Sequence, residues 1–125
     1  MNERKAHILV VEDNPDNYEL VKKILAHYGY GYTIKMDGES AYVWCTENVS
    51  DLILMDISLP GMDGLEVIAK IKDLDTYANV PIVALTAHAM KGDEERFLAA
   101  GCSRYLAKPF LPVELVALLD DILES

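Results

Sequence analysis

A chain of 125 residues has room for one ordinary domain and not for two. Its net charge of −10 and pI near 4.6 oppose nucleic-acid phosphate and anionic lipid, so direct DNA binding is disfavoured, while a basic docking partner is compatible with it. Cys45 and Cys102 stand far apart with no CxxC or Cys/His spacing; neither a disulfide framework nor a zinc site is expected, and both read as reduced, buried, cytosolic thiols.

In chain order, His7–Val11 is a continuous apolar run, the pattern of a strand covered on both faces. It has about a third of the length that spans a bilayer. Glu12 stops it and no small-residue cleavage site follows, so neither membrane insertion nor a signal peptide is expected. Pro15 suits the first turn of a helix, in which Leu20, Val21, Ile24, Leu25 and Tyr28 recur at helical spacing until Gly29. Tyr32–Met36 alternates as an edge strand. Asp37 then caps a short helix carrying Ala41, Trp44 and Cys45. Asp51–Asp56 reads as the central strand, and Leu65, Ile68 and Ile71 as the buried stripe of the next helix. Val80–Thr86 is a strand with Pro81 at its start, where a missing donor is tolerated. Asp93–Ala100 is a helix closed by Gly101; Phe97 and Leu98 are its only large apolar residues, so it is expected to be loosely held. Ser103–Ala107 is the last strand. Pro112 opens a final helix with Leu115, Leu118, Leu119 and Ile122 inward. Val116 and Leu123 widen that stripe, a flank expected to contact a partner or a second copy.

Strand and helix alternate through five βα units, the mark of an α/β, doubly wound parallel sheet. Such sheets bind ligands outside the carboxyl ends of their strands. Glu12, Asp13, Asp56, Thr86 and Lys108 all fall at that edge. Clustered carboxylates repel one another unless a cation sits among them, and oxygen ligands with open positions suit Mg²⁺. The hydroxyl and the ammonium supply what a phosphoryl group would need. Taken singly, the same residues have plainer meanings. Glu12-Asp13 could be a solvated turn and cap, Thr86 a strand-end hydroxyl and Lys108 a surface lysine. Tyr105 reads equally as a half-buried edge aromatic, and Gly61 and Gly64 are turn residues first.

Four segments carry a resemblance: Val10-Val11-Glu12-Asp13-Asn14, Met55-Asp56-Ile57-Ser58-Leu59-Pro60-Gly61-Met62-Asp63-Gly64, Leu85-Thr86-Ala87 and Lys108-Pro109-Phe110. Their order and spacing resemble the response-regulator receiver domains. The resemblance implies one receiver domain over residues 1–125, with a flavodoxin-like (CheY-like) five-stranded sheet in the order 2-1-3-4-5. It implies that Asp56 accepts a phosphoryl group from a phosphohistidine on a histidine kinase or histidine phosphotransfer protein. It implies Mg²⁺, with Mn²⁺ as an alternative, held by Asp13, Asp56 and the backbone carbonyl of Ser58, with Glu12 acting through water. Thr86 and Lys108 would hold phosphoryl oxygens, and Tyr105 would be the aromatic switch residue. Unmodified, Lys108 should pair with Asp56 and keep it ionised and nucleophilic.

The phosphorylated form should repack the face made by the fourth helix, fifth strand and fifth helix, through which a downstream protein or a homodimer partner would bind. The chain is thus expected to be a cytoplasmic phosphoacceptor with self-catalysed phosphorylation and dephosphorylation rather than a conventional enzyme. Ser58 and His88 are placed to tune phosphoryl lifetime, a cis Lys108–Pro109 bond would aim Lys108 inward, and Trp44 is the expected fluorescence reporter. The segments Ser58–Gly64 and Thr86–Met90 resemble receivers of hybrid kinases and of single-domain cell-cycle regulators. Met1 and the polar Glu124-Ser125 end favour a complete regulator. Three competing readings remain. A flavodoxin-like binding protein would need a hydroxyl- and glycine-rich phosphate loop where Glu12-Asp13-Asn14-Pro15-Asp16 stands. An aspartyl phosphatase would want a second acid where Ser58 stands. A phosphorylation-independent receiver-like scaffold is opposed by the retained Asp13, Asp56 and Lys108.

Overall fold

The structure, a computed structural model, describes residues 6–58, 63–87 and 93–123. Strands β1 (His7–Val11), β2 (Gly31–Lys35), β3 (Leu52–Asp56), β4 (Ile82–Thr86) and β5 (Arg104–Ala107) form one parallel sheet in the order β2-β1-β3-β4-β5. Helices α1 (Pro15–His27), α2 (Gly38–Glu47), α3 (Gly64–Lys72), α4 (Asp93–Ala100) and α5 (Pro112–Leu123) alternate with them. This is the doubly wound α/β fold and strand order expected.

Alternation along each strand divides the core in two. Leu9, Val11, Ile53, Met55, Ile82 and Ala84 pack against Ala41 and Cys45 of α2, Ile68 and Ile71 of α3, and Phe97 of α4. Ile8, Val10, Leu52, Leu54, Val83 and Leu85 pack on the other side against Val21, Ile24 and Leu25 of α1 and Leu115 and Leu119 of α5. Ile8–Val11 and Leu52–Met55 expose no surface, which accounts for their unbroken apolar sequences.

Boundaries shift where side chains take over backbone roles. Asp51 stays outside β3 and accepts the His7 N–H through its carboxylate at 2.8 Å. Pro81 precedes β4, where its carbonyl still accepts the Ile53 N–H. Asp37 caps α2 as expected, accepting the Ser40 N–H at 2.7 Å. A 3₁₀ turn at Asp75–Tyr77 was not anticipated. It drops Tyr77 into the core, where its hydroxyl donates to the Asn48 carbonyl at 2.7 Å. A single turn has no periodicity to read.

Burial corrects several helix faces. Leu20 and Tyr28 share the spacing of the α1 stripe yet are 42% and 41% exposed. In α5, Val116 and Leu123 are half-buried against the core rather than forming a free flank, and Leu118 and Ile122 are also only half-buried. Exposed apolar residues near that side include Leu98 and Tyr105, with Leu111 and Val113 at the start of α5. Cys45 and Cys102 are free and buried. The Lys108–Pro109 bond is cis. Among the described residues, no helix is long and apolar enough to cross a membrane.

Candidate functional site

Parallel strands deliver their carboxyl ends to one edge, and hydrogen bonds carry the ladder one residue past the tips of β1, β3 and β5. Glu12 N–H donates to the Lys35 carbonyl at 3.0 Å, Ile57 N–H to Leu85 at 3.1 Å and Lys108 N–H to Thr86 at 2.7 Å. Asn14 then turns the chain into α1 by accepting the Asp16 N–H on its side chain at 2.9 Å. On the other flank, a Cβ at Gly64 would lie 2.6 Å from the Ile57 Cα, so only glycine lets α3 start this close behind Asp56.

Four of the expected residues meet. The Lys108 ammonium donates to Glu12 Oε1 at 2.8 Å and to Asp56 Oδ2 at 3.1 Å. The second Asp56 oxygen accepts the Ser58 N–H at 2.8 Å, and the second Glu12 oxygen accepts the Asn14 N–H at 3.3 Å. Glu12 and Asp56 are buried, at 1% and 4% exposure, whereas Asp13 faces solvent. One carboxylate oxygen from each of Glu12, Asp13 and Asp56 lies within 4.8 Å of the others.

Burial pushes the Glu12 carboxyl above the usual range; the Lys108 hydrogen bond opposes this and neighbouring Asp56 reinforces it. For Lys108, burial alone would depress the ammonium, but its hydrogen bonds and charge pairing with Glu12 and Asp56 prevail and raise it. Three hard oxygen donors against one ammonium leave an excess of negative charge. A divalent cation that prefers oxygen ligands suits that donor set.

Thr86 is buried at the adjacent tip, joined to Lys108 through its carbonyl. Tyr105 is not part of the acidic cluster. It pairs in register with Ala84 and packs its ring edgewise on Phe97, with centroids 5.6 Å apart. By strand alternation Thr86 and Tyr105 lie on the same face of the sheet, the one covered by α4. Ser58 is exposed. His88, Gly61 and the rest of residues 59–62 and 88–92 lie outside the described residues. Trp44 stacks on His7 at the far end of β1, with centroids 6.1 Å apart, and is badly placed to report on the acidic edge.

Two features were not legible beforehand. The direct Glu12–Lys108 bond joins residues 96 apart in sequence, and the extra methylene of Glu over Asp was its only signal. A cavity of about 460 Å³ also adjoins Lys108, walled by Leu20, Val21, Pro109 and Phe110. Exposed Leu20 belongs to this wall rather than to the core.

Comparisons with known proteins converge. The family described as "Response regulator receiver domain" matches residues 8–120. The polar-differentiation response regulator DivK of Brucella anthropi is 43% identical over 102 residues, covering 82% of this chain and 83% of that protein. Hybrid signal transduction histidine kinase I of Dictyostelium discoideum is 41% identical over 112 residues. That match covers 84% of this chain but only 6% of the kinase. Among solved structures, the receiver domain of a sensor histidine kinase from Pseudomonas aeruginosa, with a magnesium ion coordinated in its active-site cleft, superposes with a TM-score of 0.88. It is 41% identical and covers 96% of this chain and 98% of its own. Vibrio cholerae chemotaxis protein CheY4 gives a TM-score of 0.90 at 28% identity, covering 94% of this chain and 98% of that one.

Proposed function

Because this chain belongs to the response regulator receiver family of two-component signalling, we propose that Asp56 accepts a phosphoryl group from a phosphohistidine of a histidine kinase or histidine phosphotransfer protein. The chain acts as a single receiver domain over residues 1–125, in the cytoplasm, and a downstream protein reads its α4–β5–α5 face. One observation carries this proposal: Lys108 reaches Glu12 and Asp56 together, at 2.8 and 3.1 Å, beside the carboxylate of Asp13.

Asp13, Asp56 and the Ser58 carbonyl would hold Mg²⁺ or Mn²⁺, with Glu12 acting through water. Bound there, the ion would offset carboxylate charge and the charge spread over phosphoryl oxygens. The chain's own groups do the rest. An Asp56 oxygen forms the new P–O bond as the donor's P–N bond breaks, and an ionised carboxylate needs no general base. Lys108 exchanges its Asp56 contact for a phosphoryl oxygen while Glu12 keeps hold of the ammonium. The Thr86 hydroxyl donates to another phosphoryl oxygen, and Tyr105, on the same sheet face, follows with Phe97. The resulting acyl phosphate is open to water, so the same groups support self-catalysed loss of the signal. The apolar cavity beside Lys108 suits a donor protein's side chain, and the net charge of −10 suits a basic partner.

Intact-mass measurement after treatment with acetyl phosphate and Mg²⁺ tests this. A phosphoryl adduct is expected in the native protein and none in Asp56→Asn. An adduct that survives in Asp56→Asn, or no adduct in the native protein, would overturn the proposal; the latter outcome leaves the scaffold reading. Turnover of a phosphate monoester would instead favour the phosphatase.

A further inference from the structure

At the pole of the sheet opposite the acidic edge, Lys72 ends α3 and spans two other elements. Its ammonium donates to the carbonyls of Val80 at 2.5 Å, Ala78 at 3.3 Å and Tyr77 at 3.4 Å, all on the segment leading into β4. Its aliphatic stem underlies the end of α4. A Cβ at Gly101 would lie 3.0 Å from the Lys72 Cγ, and Gly101 adopts φ +112, closed to most side chains. Partial burial lowers the ammonium's pKa, an effect that neighbouring Cys102 opposes.

Several contacts hold α4 near Gly101. Its C-terminal end is held by the Gly101 N–H on Leu98, the Cys102 N–H on Phe97 and the Ser103 N–H on Ile82, at 3.1, 3.0 and 2.8 Å. Phe97 is the only buried residue within the helix, and Leu98 is 52% exposed. Tyr105 touches α4 at Phe97, one turn before Gly101.

We propose that Lys72 is a positioning residue, a strut that pins the C-terminal end of α4 to the lead-in of β4, so that a displacement at Phe97 swings the helix about Gly101. Among the described residues, Lys72 touches no group of the acidic site. Its ammonium secures the segment that leads into β4, the strand that ends in Thr86, and its stem lies against Gly101, just past the helix that Tyr105 contacts. The strut therefore ties the strand carrying the signal to the helix displaying it. Only its role during switching rests on the function proposed above.

Hydrogen exchange on the full chain, unmodified and loaded with beryllofluoride and Mg²⁺, tests the strut in wild type, Lys72→Met and Lys72→Arg. Methionine keeps most of the stem and removes the ammonium. Lys72→Met should still form the Asp56 adduct with acetyl phosphate. Unmodified, it should exchange roughly tenfold faster in both 77–82 and 97–103, the scale expected for losing hydrogen bonds from a charged donor. The beryllofluoride-induced change in 93–100 should shrink at least about twofold, and Lys72→Arg should restore it. Faster exchange in 77–82 with 97–103 unchanged would overturn the proposal, as would a uniform rise across all strands that arginine does not rescue. Gly101→Ala, which presses on the strut from the α4 side, gives a second reading should Lys72→Met fail to fold. It should loosen 77–82, and protection there equal to wild type would count against the strut. A wild type that forms no adduct would defeat the proposed function, while the unmodified exchange comparison would still decide the strut.

Discussion

Lys108 is a cation shared by two buried carboxylates, and its removal separates charge from architecture. Lys108→Met leaves Glu12 and Asp56 side by side with no counter-charge. Stripping one partner from a buried pair costs about 3–5 kcal/mol; here protons or a divalent ion can replace it, so about 1–3 kcal/mol is expected in metal-free urea unfolding near pH 7. The pH dependence has a definite sign. A carboxyl whose folded pKa is raised, as at Glu12, contributes stability at low pH that is lost as pH rises through that value. The Lys108→Met deficit should therefore shrink from about pH 7 toward pH 5, and Mg²⁺ should reduce it at neutral pH. That Asp13, Asp56 and Lys108 would stand at one edge was readable in sequence because each sits at or just past a strand tip. That Lys108 would hold Glu12 as firmly as Asp56 was not, because side-chain reach across two strand tips depends on how the sheet closes.

Single elements show where packing overrides pattern. Helix α3 begins at Gly64 hard against the Ile57 backbone, at 2.6 Å for an added Cβ. Gly64→Ala must push α3 from the segment that carries Asp56 and Ser58. About 1–3 kcal/mol of stability should be lost by urea titration, with slower adduct formation at Asp56 in the same protein. Helices α4 and α5 give a paired comparison. Val116 and Leu123 have the spacing of a free flank but pack on the core, so Val116→Ser/Leu123→Ser should lower the melting temperature. Leu98→Ser removes an exposed side chain and should move stability by no more than about 0.5 kcal/mol, while weakening capture of a partner that prefers the phosphorylated form. Equal destabilisation by the two variants would refute the distinction. Helical periodicity reports which residues share a stripe, not how far the neighbouring element reaches around it.

For the molecule as a whole, the two cores on either side of the sheet hold it together, and both cysteines belong to the same one. Burial pushes the Cys102 thiol up to about 11 and also raises Cys45, whose hydrogen bond with Tyr77 partly opposes the rise. A raised folded pKa means the neutral-thiol contribution is full below the unfolded value near 9 and is lost as pH climbs through about 11. Denaturant midpoints should thus fall across that alkaline window, and iodoacetamide at about pH 8 should label both thiols slowly until urea opens the core. Rapid labelling of the folded protein would show that the core around α2 and α4 is open.

By itself the sequence determined the order of elements, the two-sided burial of the central strands and the edge where acids, hydroxyl and ammonium gather. Those properties are local or periodic: apolar runs, the cap at Asp37, and the residues at each strand's end. Tertiary structure alone decided that Val116 and Leu123 pack on the core, that Tyr77 fills it, that Leu20 walls a cavity, and that Lys72 of α3 reaches the carbonyls that precede β4. Each of these depends on the distance between surfaces far apart in the chain, and that distance exists only after the helices have settled on the sheet.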